Sequence, residues 1–164
     1  GIAVTPTGAT SPVVISADLT LEPNTSYTVY AVDELASIEP IVSVDDRTPV
    51  SDKAKVRFMH ASPDAPAVDI RLNSGTGPVV FGNQAFKGIT EYAEVDGGAY
   101  TFVVTPAGST AEVVKFDPVT VTNGTVYTVV AHGTLDGTDE YPFAVRVFVD
   151  NGAGNAFVDL TIQD

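Results

Sequence analysis

Three residue types used in hydrolytic catalysis lie close together at His60, Ser62 and Asp64. In a serine hydrolase an aspartate orients a histidine, and the histidine accepts the proton of the serine hydroxyl. Alternate residues of an extended strand share a face, so these three side chains could point the same way. However, Pro63 and Pro66 make the stretch a rigid turn, which rarely supplies both a triad and an oxyanion site. The sequence therefore predicts that these residues fix the turn, with no catalytic residue among them.

Metal chemistry has few candidate ligands in this chain. Two histidines and no cysteines exclude the usual thiolate zinc sites. The acidic loops at 44–47 and 136–140 lack the spacing of a calcium-binding loop. Both are predicted to be solvated turns, with weak calcium binding left open and no other cofactor expected. His132 has Val32 as its counterpart in the repeat described below, so packing explains it better than metal binding.

The charge of the chain excludes two classes of partner. Eight basic and 21 acidic residues give a formal net charge of −13. Nucleic-acid binding and attraction to an anionic membrane surface both need clustered lysine and arginine. No apolar run reaches the length of a membrane span, so membrane insertion is not expected either.

The elements that position these residues are predicted to be short strands. Val, Thr, Phe and Tyr are frequent, 14 Gly and 11 Pro interrupt the chain, and no segment has helical periodicity. The predicted fold is all-β, an immunoglobulin-like antiparallel β-sandwich. Strands are expected near 2–5, 12–21, 26–33, 40–45, 54–61, 67–73, 78–86, 89–95, 99–105, 111–121, 125–133 and 142–150.

An internal repeat organises the chain. Residues 4–35 align without a gap with residues 104–135, and 14 of the 32 positions are identical. After a short insertion, "SVDD" at 43–46 matches "FVDN" at 148–151. The stretch before the second copy has no counterpart before the first. We therefore predict the back half of a sandwich at 1–50, a complete sandwich at 51–153 and an extra strand at 154–164.

Each copy places a tyrosine just after a turn, at Tyr27 and Tyr127. In immunoglobulin-like sandwiches such a tyrosine bonds through its hydroxyl to the backbone just upstream and pins a corner between the sheets. Ordinary half-buried aromatic residues of a strand would give the same pattern. Either reading makes the two tyrosines structural.

The stretch "VRFMHASPDAPAVDI", followed by "FKGITEYAEVDGGAYTFVVTPAGST" and "VFVDN", resembles a bacterial family known as domain of unknown function 4397. The resemblance covers one whole copy at 54–151 and half of another at 1–46. It implies tandem, sandwich-like modules and an extracellular or cell-surface location. It implies no activity.

Something must cover the half copy, because about four strands leave an apolar face and an unpaired edge. Three arrangements are open: truncation of a longer tandem protein, folding back on the complete copy, and completion by a neighbouring molecule. The tail resembles the opening strand at 54–60, which makes it a candidate donor strand. Its apolar residues are Phe157, Val158, Leu160 and Ile162.

We therefore expect a non-catalytic extracellular structural protein that self-associates head to tail, in a filament or surface layer, by strand addition. The alternative is an adhesion or ligand-binding module of a larger surface protein. Its loops at 62–66 and 134–142 would then contact a glycan or a protein ligand.

Overall fold

The computed structural model describes residues 1–136, 141–152 and 156–163. Over these ranges the chain has fifteen β-strands and no helix, which confirms the predicted all-β class. None of the described residues therefore lies in a helix long and apolar enough to cross a membrane. The chain divides into two compact units, named here the first unit (Gly1–Asp46) and the second unit (Arg47–Asp164).

The first unit consists of two antiparallel hairpins. Its strands are β1 (Ile2–Val4), β2 (Ile15–Ala17), β3 (Ser26–Val32) and β4 (Glu39–Asp45). In the described chain β1 pairs with β2 alone, and β3 pairs with β4 alone. The fully buried apolar side chains of this unit are Ile15 and Val32. A two-stranded sheet with so little covered apolar surface is marginally stable by itself.

The second unit contains the remaining strands. They are β5 (Ala54–Ala61), β6 (Val68–Leu72), β7 (Val79–Gln84), β8 (Ala93–Val95), β9 (Gly98–Tyr100), β10 (Phe102–Pro106), β11 (Val114–Lys115), β12 (Val119–Val121), β13 (Val126–His132), β14 (Ala144–Val149) and β15 (Phe157–Asp159). One sheet has the order β15-β14-β13-β5-β8 and another the order β11-β10-β6-β7. A two-stranded sheet, β12-β9, completes the unit.

One hydrophobic core joins residues of both large sheets. Phe58 and Val129 of the five-stranded sheet belong to the same buried cluster as Phe81 and Phe102 of the four-stranded sheet. The described strand pairs are antiparallel except β5 with β13, which run parallel. This pair departs from the predicted all-antiparallel arrangement. A parallel pairing is available to β5 and β13 because no tight turn connects them.

The repeat seen in the sequence is also a repeat of structure. The β3–β4 hairpin pairs Tyr27 with Val44, and the β13–β14 hairpin pairs Tyr127 with Val149, which is the same register. Three left-handed backbone positions recur one hundred residues apart: Gly8 and Gly108, Asn24 and Gly124, and Asp33 and Gly133. The corresponding turns therefore bend the chain alike in the two units.

The tail lies on its own second unit. Strand β15 pairs antiparallel with β14, and the N–H of Leu160 donates to the carbonyl of Val145 at 2.8 Å. The side chain of Leu160 is buried in the core, and Ile162 forms a bridge with Phe116. A tail seated in this way would have to leave β14 before it could join another molecule. Its role as a donor strand stays a prediction.

Candidate functional site

The turn that follows β5 is held by side chains at alternate positions. The Ser62 hydroxyl donates to the carbonyl of Gly133 at 2.7 Å. One carboxylate oxygen of Asp64 accepts the backbone N–H groups of Leu135 and Asp136 at 2.7 and 3.1 Å. These bonds tie the turn to the connection that leaves β13. Gly133 is needed there, because its φ is +80° and a Cβ would lie 2.2 Å from the Pro142 carbonyl oxygen.

His60 is 1% exposed and is bonded at both ring nitrogens. The N–H of Ser62 points to Nδ1 at 3.4 Å, and Nε2 lies 3.2 Å from the carbonyl oxygen of Pro66. Nδ1 therefore acts as an acceptor and Nε2 as a donor, which is the arrangement of a neutral ring. His60 also contacts Phe58 and Phe86 edge to face, with centroids 6.3 and 6.4 Å apart.

These positions do not form a proton relay. The Ser62 hydroxyl bonds to the Gly133 carbonyl at 2.7 Å and more weakly to a carboxylate oxygen of Asp64 at 3.3 Å, not to a ring nitrogen of His60. Asp64 accepts backbone N–H groups, and both nitrogens of His60 have other partners. Pro63 and Pro66 set the turn between them. A cavity of about 40 Å³ beside the turn is lined mainly by apolar side chains, so it offers few polar groups to orient a substrate.

The state of the two histidines predicts a loss of stability in acid. Burial lowers the pKa of His60, and burial followed by the charge of Arg146 lowers the pKa of His132. In the unfolded chain the two rings gain a proton at about pH 6.5. In the folded unit they stay neutral to a lower pH. The stabilisation is therefore complete above about pH 6.5 and is lost as the pH falls below it. The urea midpoint of the second unit should decrease from pH 7.5 to about pH 5.5.

The matched measurement uses His60→Asn, because an asparagine can accept the Ser62 N–H without titrating. We expect this variant to be less stable at pH 7.5 and to have a smaller pH dependence. An unchanged slope of stability against pH would contradict the assignment of His60 as a buried neutral ring.

The two repeat tyrosines make equivalent hydrogen bonds. The Tyr27 hydroxyl accepts the N–H of Glu22 at 3.0 Å, and the Tyr127 hydroxyl accepts the N–H of Thr122 at 3.2 Å. In both units the partner lies five residues upstream. The tyrosine thus closes the turn that precedes the strand.

A polar network that the sequence did not predict joins β5 to the β13–β14 hairpin. Nε of Arg57 donates to the Thr128 hydroxyl at 2.8 Å, and that hydroxyl donates to Asp150 at 2.6 Å. The Tyr92 hydroxyl also donates to Asp150, at 2.7 Å, and the Arg57 guanidinium lies 4.6 Å from the centre of the Tyr92 ring. Burial is the main cause that raises the pKa of Tyr92.

The threonine and the aspartate of this network recur in the first unit. The Thr28 hydroxyl donates to Asp45 at 2.7 Å, as the Thr128 hydroxyl does to Asp150. Ser43 donates to the other carboxylate oxygen of Asp45 at 3.1 Å. The positions that receive Arg57 in the second unit are therefore conserved between the two units in type and geometry.

A second unpredicted group is the buried carboxylate of Asp69. It accepts the N–H groups of Asn83 at 2.8 Å and Gly108 at 3.0 Å, and it pairs with Arg71 at 3.2 Å. The bond from Asn83 is the largest cause that holds the pKa of Asp69 below its usual value. The signal in the sequence was an aspartate and an arginine at alternate positions of an otherwise apolar strand.

The apolar face of the first unit is open at positions that are core in the second. Leu21, Val29 and Val42 are 56, 40 and 36% exposed. Their counterparts Val121, Val129 and Val147 are 5, 6 and 7% exposed. We call these three residues of the first unit the open face. By contrast, Leu35 and its counterpart Leu135 are both exposed, so not every apolar residue of the first unit lies on this face.

The backbone edge of β3 is open as well. In the second unit Lys55 of β5 donates to the carbonyl of Thr125, whereas the carbonyl of Val126 bonds on the opposite side, to Asp150. Backbone groups alternate in direction along a strand. By the shared register, the backbone groups of Tyr27, Val29 and Ala31 point away from β4.

No group of three or more acidic, histidine or cysteine side chains suited to a metal ion occurs among the described residues. In the acidic loop at 44–47, Asp45 accepts hydroxyl groups of its own hairpin. The loop at 136–140 lies mostly outside the described residues, so calcium binding there stays untested.

Comparison with known families gives one result. A family model described as a domain of unknown function (DUF4397) matches residues 2–71 and 72–160. The border between the two matches lies inside β6 and differs from the border between the two compact units at residues 46 and 47. No curated protein matches the chain significantly.

Proposed function

Since the chain belongs to the DUF4397 family, whose description assigns no activity, we propose that it is a non-catalytic structural module of the cell exterior. Its first unit accepts strands from a related module in another molecule. Head-to-tail growth follows where each related module carries both such an acceptor and an unpaired donor strand. This proposal combines the all-β fold, which suits a structural or binding module, with the open face of the first unit.

The single observation that carries the proposal is the contrast between matched positions. The hairpin β3–β4 keeps the register of β13–β14. Its apolar side chains therefore occupy the positions that pack against a second sheet in the second unit. Burying an exposed valine or leucine contributes roughly 1.5–3 kcal/mol. Leu21, Val29 and Val42 are already partly buried, so covering the open face would supply about 2–4 kcal/mol towards association, to which backbone pairing along β3 adds.

Strand addition also satisfies the open edge of β3. Its outward backbone groups form a ready template for another strand, and such groups give affinity while alternate side chains give specificity. In the second unit β5 occupies this place beside β13. The complementing strand is therefore expected to resemble β5.

The donor is not expected to be a strand taken from the second unit of an identical chain. Donating β5 would open β13 in the donor as much as it closes β3 in the acceptor, with no net gain of paired edges. Donating the tail would remove Leu160 from the donor's core. A strand of a related module that is not already paired avoids both costs.

The test is the binding of a peptide with the sequence of residues 53–73, which contains β5 and β6, to the intact chain. We expect saturable binding by calorimetry, with slower amide hydrogen exchange at Val29 and Ala31. Val29→Asp should weaken binding at least tenfold, because it places a charge on the open face. Leu35→Asp is the matched control, since Leu35 is exposed but off this face, and it should bind like the parent chain.

Two results would overturn the proposal. One is the absence of binding to the parent chain. The other is an equal loss in Val29→Asp and Leu35→Asp, which would indicate a site elsewhere.

A further inference from the structure

We propose that the strand completing the first unit runs parallel to β3 and places an arginine or lysine opposite Thr28, where Thr28 and Asp45 receive it. This inference rests on the proposed function and specifies the chemistry of the partner. It assigns Thr28, Ser43 and Asp45 to a recognition site for a cationic side chain, within an otherwise apolar and backbone-mediated contact.

The direction and the register follow from the second unit. There β13 and β5 are parallel, with Val126 opposite Lys55 and Thr128 opposite Arg57. The hairpins of the two units share their register, so a β5-like strand beside β3 would place its second cationic position opposite Thr28.

The chemistry of that position is specific. Arg57 is 2% exposed, and it reaches Asp150 through the Thr128 hydroxyl. A buried cation is tolerated only where polar groups and an opposite charge compensate the loss of water. Thr28 and Asp45 reproduce that compensation, with a hydroxyl-to-carboxylate distance of 2.7 Å against 2.6 Å in the second unit.

The same geometry discriminates against the tail of the chain. When the tail is aligned with β5 by its apolar pattern, Val158 matches Val56 and Asp159 matches Arg57. The tail would therefore bring a carboxylate towards Asp45, and like charges in a partly buried site repel. In its own unit Asp159 instead receives two hydrogen bonds from Arg146, at 2.6 and 3.0 Å.

The experiment uses the intact chain and variants of the peptide of residues 53–73. Replacing the peptide's Arg57 by glutamate should weaken binding at least tenfold. Replacing its Lys53 by glutamate gives a peptide of the same net charge, and it should bind within about threefold of the parent peptide, because Lys53 precedes β5 and pairs at the surface with Asp96 in the second unit. This pair is necessary because a chain with a net charge of −13 attracts any cationic peptide. A peptide of tail residues 155–164 should not compete.

A nitroxide at the amino end of the peptide reports direction. In the parallel arrangement it should broaden the amide resonance of Ser26 more than that of Val32. Equal losses for the two charge reversals, competition by the tail peptide, or stronger broadening at Val32 would each overturn this inference. Binding of the parent peptide in those cases would leave the proposed function standing, whereas no binding by the parent peptide would overturn both.

Discussion

Replacing Phe58 by alanine is expected to lower the unfolding free energy of the second unit by about 3–5 kcal/mol. Phe58 is 2% exposed and lies where the two large sheets meet. Its ring stacks on Phe81 with centroids 6.3 Å apart and contacts the edge of His60 at the same separation. Alanine would remove apolar contacts with both sheets and leave a cavity that paired strands on either side of β5 cannot close.

The measurement is urea unfolding followed by far-ultraviolet circular dichroism, since the chain contains no tryptophan. Phe157→Ala provides the control, because Phe157 is 49% exposed on the outer strand β15. Its cost should be about 1 kcal/mol or less. If the two substitutions cost the same, Phe58 does not lie in a tightly packed core.

Replacing Arg57 by alanine is expected to have a comparable effect, about 3–5 kcal/mol, for an electrostatic reason. Removal of one partner from a buried polar network weakens the compensation of the charge that remains. Here Asp150 would keep the hydroxyl groups of Thr128 and Tyr92 but lose the guanidinium that reaches it through Thr128. The Tyr92 ring would also lose the guanidinium that packs against it.

Arg146→Ala separates this effect from the loss of any arginine. Arg146 pairs with Asp159 at the surface, and exposed ion pairs contribute little to stability. Its urea midpoint should stay close to that of the parent chain. Arg57→Met, which keeps the bulk of the side chain, should remain destabilised. A stable Arg57→Met variant would show that packing and not charge is what Arg57 supplies.

The parts of the fold that the sequence predicted are those set by local alternation. The strands expected at 54–61 and 26–33 agree closely with Ala54–Ala61 and Ser26–Val32. The single strand expected at 111–121 is instead two strands, β11 and β12, which join different sheets. Pro118 lies between them and cannot donate a ladder hydrogen bond, so the chain changes sheet there.

The sequence could not predict the network around Arg57, for a different reason. Its two ends, Arg57 and Thr128, are 71 residues apart and meet through a parallel pair of strands. Alternation shows which residues share a face but not which strand lies beside another. The tail illustrates the same limit, because its alternation shows its likeness to the strand at 54–60 but not that it pairs with β14 and places Leu160 in the core of its own unit.

In the assembly proposed above, the exposed edge of β3 also affects how long a chain survives before a complementing strand binds. A hairpin pair with two fully buried apolar side chains opens readily, and proteases cut locally opened segments first. The second unit, with its continuous core, would outlast it. Under that proposal, turnover of the chain would depend on the supply of complementing strands, so that unassembled copies would be cleared and assembled ones would accumulate.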